Sequence, residues 1–288
     1  MPAIGRINDK QKRVMKHTEK QTARVAGISR LRFDTDGPGI RTLVLLSGCH
    51  LDCAYCLNGN LRSGKAGSLF EPEELLYRVR KDDIYFKASG GGITFGGGEP
   101  LLHGGFIREF RQICPPDWTI TVETSLNVPK EDVEALLGSV DFWIVDIKDM
   151  DPGKYLEYTG ESNEHVVENL GLLRGRIDKS KVLVRVPRIG GLNTPEDVER
   201  SEGIIRNMGF DTEVFEYVIP DHLLLKETGG AERLPGYLIP SEDEVPEVKP
   251  EKPSLVEMIR RQYFQEMQRL TLLGIPNAEY DDDWKDEM

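Results

Sequence analysis

The sequence predicts an α/β fold in which a largely parallel sheet is covered by helices, and three observations predict it. Six short runs are rich in β-branched and aromatic residues, helical patterns lie between them, and polar residues follow each run. Alternation of strands and helices favours a parallel sheet, because each connecting helix packs back onto the sheet. Six strands could form an open doubly wound sheet or an incomplete barrel, and periodicity alone does not choose between these two.

The six predicted strands are short runs bounded by polar residues or glycine, which is the usual pattern of strands that are buried in a sheet. They are Ile40–Leu46, Gly92–Phe95, Thr119–Thr124, Phe142–Ile147, Lys181–Val186 and Glu213–Ile219.

The segments between the strands place apolar residues at helical spacing. In Glu73–Lys81, for example, Leu75 and Val79 fall on one face. Two helix starts are also predicted. Thr194–Asp197 supplies an N-cap, a proline and acidic residues in the first turn, and Ser254–Glu257 has the pattern of a capping box. The other predicted helices are Phe106–Ile113, Lys130–Leu137 and Glu164–Leu173.

Polar residues stand at or just beyond the carboxyl end of every predicted strand. In barrel-like and doubly wound α/β folds, this edge of the sheet carries the active site. Loops are polar in general, but a polar group after each of six strands favours a functional edge. The groups are Cys49–Cys56, Gly96–Pro100, Glu123–Thr124, Asp146–Lys148, Arg185 and Asp221–His222.

The composition argues against several classes of protein. The chain has 288 residues and a net charge of −12, and its one basic run, near the amino terminus, is short and mixed with polar residues. A nucleic-acid binder would usually show a basic stripe. No stretch approaches the roughly 18 apolar residues of a membrane span, and the first residues lack the apolar core of a secretory signal. We therefore expect a cytoplasmic protein that binds neither membrane nor nucleic acid.

Three of the four cysteines lie close together, at Cys49, Cys53 and Cys56. Four cysteines with this clustering do not resemble a disulfide framework, and in a reducing compartment such a cluster more often holds a metal. Cys114 lies apart, after a helical pattern, and is expected to be a structural thiol.

Zinc and an iron–sulfur cluster are the two candidates for the clustered thiols. A structural zinc site needs four ligands, so His50 or His103 would have to join the three cysteines. Thiolates also suit iron–sulfur clusters. Because a cube has four irons, three cysteines would leave one iron open to a small chelating molecule.

Two motifs carry a resemblance to a known family. The spacing Cys49-x3-Cys53-x2-Cys56, with the aromatic Tyr55 before the last cysteine, resembles the cysteine motif of radical S-adenosylmethionine (SAM) enzymes. Gly97–Pro100, about 40 residues on, resembles the second motif of the same superfamily. Both motifs follow a predicted strand, and they occur in the family's order.

Four further stretches resemble the activating enzymes of glycyl-radical enzymes, especially the pyruvate formate-lyase activating type. They are Asp36–Thr42, Ser89–Gly92, Asp146–Lys148 and Arg185–Pro187. The resemblance extends from Gly27 to Ile275. The larger activating enzymes carry an inserted ferredoxin-like segment with eight more cysteines, so this chain resembles the compact form.

The resemblance implies a partial (β/α)6 TIM-like barrel at residues 24–277, between an N-terminal extension at 1–23 and an acidic tail at 278–288. It also implies the chemistry. A 4Fe–4S cluster would bind SAM and cleave it with one electron, and the resulting 5′-deoxyadenosyl radical would remove a hydrogen from a glycine Cα of a partner enzyme. The implied partners are this glycyl-radical enzyme and a flavodoxin or ferredoxin electron donor, in an anaerobic setting.

The resemblance assigns roles to individual residues. Cys49, Cys53 and Cys56 would hold the cluster, and Lys148 would join them as a catalytic residue. A monovalent cation would lie at Glu123, Thr124 and Asp146, although the family typically has Asp at the first of these positions. The residues implied to contact SAM are Tyr55, Cys56, Leu57, Gly98, Glu99, Asp146, Ile147, Lys148, Arg185 and His222.

Two alternatives stay open at this point. The chain could be a radical SAM enzyme that acts on a peptide or a small molecule, although it lacks the extra cysteines that many peptide-modifying relatives carry. It could also be a zinc-stabilised binding protein, which would leave the glycine motif and the Asp146–Lys148 pair without an explanation. The sequence names neither the partner enzyme nor the electron donor.

Overall fold

The computed structural model describes residues 20–33, 35–190 and 192–217. They form one eight-stranded sheet in the order β3-β1-β2-β4-β5-β6-β7-β8. The strands are β1 Ala23–Arg32, β2 Arg41–Leu46, β3 Ser68–Phe70, β4 Gly92–Gly97, β5 Thr119–Thr124, β6 Phe142–Asp146, β7 Val182–Arg188 and β8 Asp211–Glu216.

The predicted α/β class is confirmed. The six predicted runs correspond to β2 and β4 to β8, and these strands pair in parallel in chain order. The sheet has two more strands, β1 and β3, which pair antiparallel at one edge. Neither was predicted, because β3 has only three residues and β1 mixes apolar and basic residues without a clean alternation.

Within the described residues, seven α-helices connect or cover the strands. The predicted helix start at Thr194 is confirmed, since its side chain accepts the Asp197 N–H and the Asp197 side chain accepts the Thr194 N–H. The predicted helix start at Ser254 lies outside the described residues. The helices are α1 Pro72–Val79, α2 Asp83–Ser89, α3 Gly104–Ile113, α4 Lys130–Glu134, α5 Pro152–Thr159, α6 Glu164–Arg176 and α7 Pro195–Asn207. Short 3-10 helices lie at Gly59–Leu61, Arg80–Asp82, Pro100–His103 and Lys179–Lys181.

The two faces of the sheet differ in polarity, because successive side chains of a strand point to opposite faces. One face is apolar and shares the main core with the helices. The other face carries polar side chains at equivalent positions of neighbouring strands. The apolar set includes Val44, Phe95, Val122, Val145 and Val184, and the polar set includes Thr94, Thr121, Glu123, Asp146 and Arg185.

The polar face is the concave side of a partial barrel. Arg185 on β7 donates hydrogen bonds to Glu123 on β5 and to the carbonyl of Thr35, which precedes β2. A contact between β7 and a residue next to β2 spans several strands of the sheet order, so the sheet must curl. The segment around Asp36 also lies on this side, since Thr94 donates to the Asp36 carbonyl over 2.7 Å.

Arg41 closes the sheet at the amino ends of the parallel strands. Its side chain is fully buried, and it donates to Thr94 Oγ1 over 3.0 Å, to the Pro38 carbonyl over 3.3 Å and to the Thr119 carbonyl over 3.1 Å. Burial lowers the pKa of this guanidinium to about 10, against the opposing effects of two acidic residues. The predicted motif Asp36–Thr42 therefore has a structural role at the edge opposite the cysteines.

Within the part of the chain that the structure describes, no helix is long and apolar enough to cross a membrane.

Candidate active site

The cysteine loop begins directly after β2, and its first half is held by backbone hydrogen bonds. The Gly48 N–H donates to the Leu61 carbonyl over 2.8 Å, and the Cys49 N–H donates to the Arg62 carbonyl over 3.2 Å. Gly48 has a φ of +110°, a conformation that favours glycine. The chain can therefore leave the strand sharply and present the Cys49 side chain at the carboxyl edge of the sheet.

The second half of the loop is held by the end of α5. The Asp52 N–H donates to the Thr159 carbonyl over 2.8 Å, and the Ala54 N–H donates to the Tyr158 carbonyl over 2.9 Å. These contacts leave the three loop thiols partly or fully exposed. Cys114, in contrast, is buried in the main core, which confirms its predicted structural role.

The chemistry of the loop thiols suits a cationic metal centre. Burial raises the pKa of Cys49 to about 11, and burial also raises the pKa of Cys53 although the nearby Lys148 opposes the effect, so both thiols are neutral at pH 7 in the absence of a metal. Metal ligation requires the thiolate, and thiolates are the usual ligands of iron–sulfur clusters. Among the described residues, no three His, Cys, Asp or Glu side chains converge on one metal ion. In a 4Fe–4S cube each cysteine binds a different iron, so the three thiols need not converge on one ion.

The glycine motif after β4 is joined to the stem of the cysteine loop. The Gly98 N–H donates to the Leu46 carbonyl over 2.8 Å, and the Glu99 N–H donates to the Gly48 carbonyl over 2.8 Å. A Cβ atom on Gly98 would lie only 2.3 Å from the Gly48 oxygen. The protein itself therefore requires glycine at position 98, because the two motifs approach each other so closely.

Glu99 ties this motif to the end of β5. Its side chain is 1% exposed, and both carboxylate oxygens accept two hydrogen bonds each. The Leu101 N–H and the Thr124 hydroxyl donate to Oε1, while the Ser125 N–H and hydroxyl donate to Oε2. Both oxygens of the Glu99 carboxylate are thus engaged in hydrogen bonds within the protein. Its predicted contact with SAM stays a prediction.

Asp146 ends β6 and forms an ion pair of 3.8 Å with Lys148, two residues further on. Burial disfavours the lysine charge, but the neighbouring Asp146 carboxylate raises the pKa of Lys148 above its usual value. Asp146 Oδ1 is buried and has no hydrogen-bond partner among the described residues. An unpaired buried carboxylate oxygen is costly, so this atom is available for a polar group of a ligand. Ile147, between them, is buried, and its N–H donates to the backbone carbonyl of Arg185.

Two tyrosines flank the last cysteine. Tyr55 is 7% exposed, and its ring packs edge-on against Tyr217 with 5.1 Å between centroids. The Tyr217 hydroxyl donates to the Tyr55 carbonyl. The Tyr55 hydroxyl is buried without a partner among the described residues, and burial raises its pKa. Leu57, two residues on, is 43% exposed.

Arg185 and Glu123 form the charged centre of the concave face. Arg185 Nη1 lies 3.2 Å from Glu123, and its Nε lies 3.1 Å from Glu213. Burial raises the pKa of Glu123 to about 7, with Asp146 and Asp36 adding to the effect and Arg185 opposing it. This carboxylate is therefore only partly ionised at neutral pH.

Two of the three predicted cation ligands, Glu123 and Thr124, lie on opposite faces of β5. The Glu123 side chain pairs with Arg185, whereas the Thr124 hydroxyl donates to Glu99 on the opposite face. Among the three, Asp146 has the carboxylate oxygen that lacks a partner within the described residues. The cation site stays a prediction.

The structure adds Tyr217 to the predicted set and places His103, which the sequence offered as a fourth ligand of a zinc site. Tyr217 holds the Tyr55 carbonyl, and its position just after β8 could have been a signal, since every other parallel strand ends in a site residue. His103 Nε2 lies 2.8 Å from the Ser47 carbonyl at the base of the cysteine loop, so it belongs to the stem. His222 lies outside the described residues, as do positions 1–19 of the extension and the acidic tail at 278–288.

A family model, several curated proteins and several solved structures are similar to this chain. The family model described as "Radical SAM superfamily" matches residues 43–214, which include the cysteine loop, the glycine motif and at least part of every parallel strand.

Curated relatives are about 30% identical to this chain over the aligned segments. A pyruvate formate-lyase-activating enzyme of Clostridium pasteurianum is 32% identical over 182 residues, which cover 60% of this chain and 72% of that protein. One from Listeria monocytogenes is 30% identical over 225 residues, covering 73% and 88%. A (2S)-3-sulfopropanediol dehydratase activating enzyme of Klebsiella oxytoca is 29% identical over 220 residues, covering 55% and 69%.

Solved structures with a similar fold are more distant in sequence. Streptococcus suis SuiB bound to S-adenosylmethionine superposes with a TM-score of 0.50 at 14% identity, over 79% of this chain and 49% of SuiB. This likeness concerns the fold alone.

Proposed function

Because the chain belongs to the radical SAM superfamily, we propose that it is an activating enzyme that installs a glycyl radical in a partner enzyme. The observation that carries this proposal is that hydrogen bonds join the cysteine loop to the glycine motif. Cys49, Cys53 and Cys56 stand on a loop whose stem is bonded to Gly98 and Glu99. Relatives named as activating enzymes of three different glycyl-radical systems align over most of their own length, which supports this target over a peptide or a small molecule.

The residues present fit a 4Fe–4S cluster and SAM. The donor set consists of three thiols on one short loop, and the unpaired Asp146 oxygen lies at the same edge of the sheet. When bound, the cluster and SAM would supply a one-electron cleavage of the sulfonium and a radical able to remove a hydrogen atom.

The remaining steps fall to side chains of this chain. Lys148 keeps its positive charge, because Asp146 raises its pKa, and it can bind an anionic group such as a carboxylate. Asp146 can accept a hydrogen bond from a hydroxyl or amino group. Tyr55 and Tyr217 pack edge-on against each other next to the exposed last cysteine and offer aromatic surface there. The polar concave face can receive the backbone of a glycine-bearing segment, which needs hydrogen-bond partners when it leaves water.

The experiment is an anaerobic reconstitution with iron and sulfide, followed by reduction, addition of SAM and quantification of 5′-deoxyadenosine. We expect product from the wild-type chain and from Cys114→Ala, which removes a thiol of the core. We expect none from Cys53→Ala, which removes a thiol of the loop. If the two variants behave alike, the loop does not hold the catalytic centre.

The target is tested in a second step. The reconstituted protein is incubated with candidate glycyl-radical enzymes, and the doublet of a glycyl radical is sought by electron paramagnetic resonance. Formation of 5′-deoxyadenosine without a glycyl radical in any candidate would favour a radical SAM enzyme that acts on a peptide or a small molecule.

A further inference from the structure

The charged centre of the concave face is built from three neighbouring parallel strands. Glu123 lies on β5, Asp146 on β6 and Arg185 on β7. Asp146 and Arg185 are partners in the register of β6 and β7. β5 and β7 are separated by β6, a span of roughly 10 Å, so only long side chains can meet across it. The 3.2 Å ion pair between Glu123 and Arg185 therefore bridges the strand that carries Asp146.

Gly96 makes room for this ion pair. It lies on β4, beside β5, and a Cβ atom on it would lie only 2.9 Å from Glu123 Oε2. A larger residue at position 96 would therefore push the Glu123 carboxylate out of its place. The family that the sequence resembles typically has the shorter Asp where this chain has Glu123. Here the glycine and the longer carboxylate fit each other.

The side chains present do not fit the monovalent cation that the resemblance implies. A hard cation needs several oxygen ligands that converge on it. Glu123 Oε1 already accepts a hydrogen bond from Arg185. The Thr124 hydroxyl is engaged on the other face of β5, where it donates to Glu99 and accepts the Leu126 N–H. A cation beside Glu123 would also meet the guanidinium, which stays charged in proteins and would repel it.

We propose that the Arg185 guanidinium, held by Glu123, takes the place of the monovalent cation, so that this chain binds SAM equally well without sodium or potassium. The inference rests on the proposed function, and it departs from the cation site that the resemblance implies. The positive charge beside Asp146 then belongs to the protein itself, in place of an ion taken from the solvent.

Arg185 has the donors that this role needs. A guanidinium carries five N–H groups, and the described partners Glu213, Glu123 and the Thr35 carbonyl account for three of them. The other two can donate to an anionic oxygen, such as that of a carboxylate. Because these contacts hold the side chain in advance, little conformational entropy is lost when an anion binds. The neighbouring Asp146 oxygen, buried without a partner among the described residues, marks the same place as one that a ligand completes.

The test measures SAM binding to the reconstituted protein by equilibrium dialysis, at equal ionic strength in potassium, sodium or choline chloride. Choline is too large to take the place of a bound potassium ion. Arg185→Met removes the guanidinium and keeps an unbranched side chain. Arg188→Met is the matched control, because exposed Arg188 lies on the same strand and pairs with Glu216 on β8 over 2.7 Å. Urea denaturation of both variants checks that the fold is kept.

We expect the wild-type affinity for SAM to agree within about two-fold in the three salts, a difference too small for a lost charge contact. Arg185→Met should lose about ten-fold or more in choline chloride, the usual size of a charge-assisted hydrogen bond. Guanidinium chloride at low millimolar concentration, or potassium, should restore part of this affinity, because a small cation can then occupy the vacated position beside Glu123. Arg188→Met should match the wild type in every salt.

Three outcomes overturn the proposal. The first is a wild-type affinity that rises several-fold with potassium or sodium over choline, and this result needs no variant. The second is an Arg185→Met protein that binds SAM in choline chloride as the wild type does. The third is a loss of affinity that neither guanidinium nor potassium restores, which would assign Arg185 to the fold. Failure of the proposed function is separate, because it would appear as absent SAM binding by the wild-type chain in all three salts.

Discussion

The N–H of Glu99 donates a hydrogen bond of 2.8 Å to the carbonyl of Gly48, and this bond joins the glycine motif to the stem of the cysteine loop. The two residues are far apart in the chain and follow two neighbouring parallel strands, β4 and β2. The position of the thiols therefore depends on a motif that contains no metal ligand. Several predictions concern this junction and the charged groups beside it.

Gly98→Ala should destabilise the protein and impair the site. Its Cβ would lie 2.3 Å from the Gly48 oxygen, so the backbone of one motif must shift. We expect a loss of roughly 2–3 kcal/mol in the free energy of unfolding, the cost of overpacking, and a lower iron content after reconstitution. The measurements are urea denaturation and iron analysis. Gly171→Ala is the control, because a Cβ there meets no atom within 4 Å and alanine favours a helix. A stable Gly98→Ala protein with full iron content would contradict the importance of the junction.

Glu99→Gln should be strongly destabilising despite its small change in shape. Both carboxylate oxygens accept two hydrogen bonds, so an amide nitrogen would face donors in place of an acceptor. We expect a loss of about 3 kcal/mol in the free energy of unfolding, since a charged acceptor is lost and buried donors are left unpaired. The exposed Glu134→Gln is the control and should change stability by less than about 0.5 kcal/mol. Equal stability of the two variants would show that Glu99 is not a structural acceptor.

The pH dependence of stability should reveal Glu123. Burial raises its pKa from the usual 4.5 to about 7 in the folded protein. Between these two values the folded state binds more protons than the unfolded state, so this residue lowers stability as the pH rises. Its destabilising contribution is absent below pH 4.5 and complete above about pH 7. Unfolding in urea is measured at several pH values for the wild type and for Glu123→Gln. We expect the variant to lose less stability than the wild type between pH 5 and pH 8, whereas parallel curves would mean that Glu123 titrates normally.

Lys148→Met should weaken SAM binding while the fold is kept. The lysine is the cation at the carboxyl end of β6, and its raised pKa keeps it charged through the physiological range. If it binds an anionic group of SAM, its loss should cost about 10- to 100-fold in affinity, the usual size of a charge-assisted hydrogen bond. Equilibrium dialysis of the reconstituted protein measures this, with the exposed Lys181→Met as the control. Unchanged affinity in both variants would remove Lys148 from the SAM site.

Much of the fold was predictable, because strands and helices leave local patterns. The six parallel strands carry apolar runs, and Thr194 marks its helix with a cap. The antiparallel strands β1 and β3 were missed because they are short or irregular and gain their stability from pairing with neighbours. Adjacent residues of a strand point to opposite faces, so the separation of Glu123 from Thr124 could have been inferred from β5 itself. The hydrogen bonds of Glu123 to Arg185 and of Thr124 to Glu99 could not be inferred, because Arg185 and Glu99 come from distant parts of the chain.

The sequence by itself determined the identity and spacing of the three loop cysteines, the glycine motif and the succession of the parallel strands along the chain. These are local properties, fixed by residue type and by short-range backbone preferences. Only the tertiary structure decided which groups those residues meet. Gly98 meets the Gly48 carbonyl, Glu99 receives the end of β5, and Asp146 keeps an oxygen without a partner among the described residues. The physical reason is that hydrogen bonds between strands and loops depend on how the sheet curls, and no local pattern encodes that curvature.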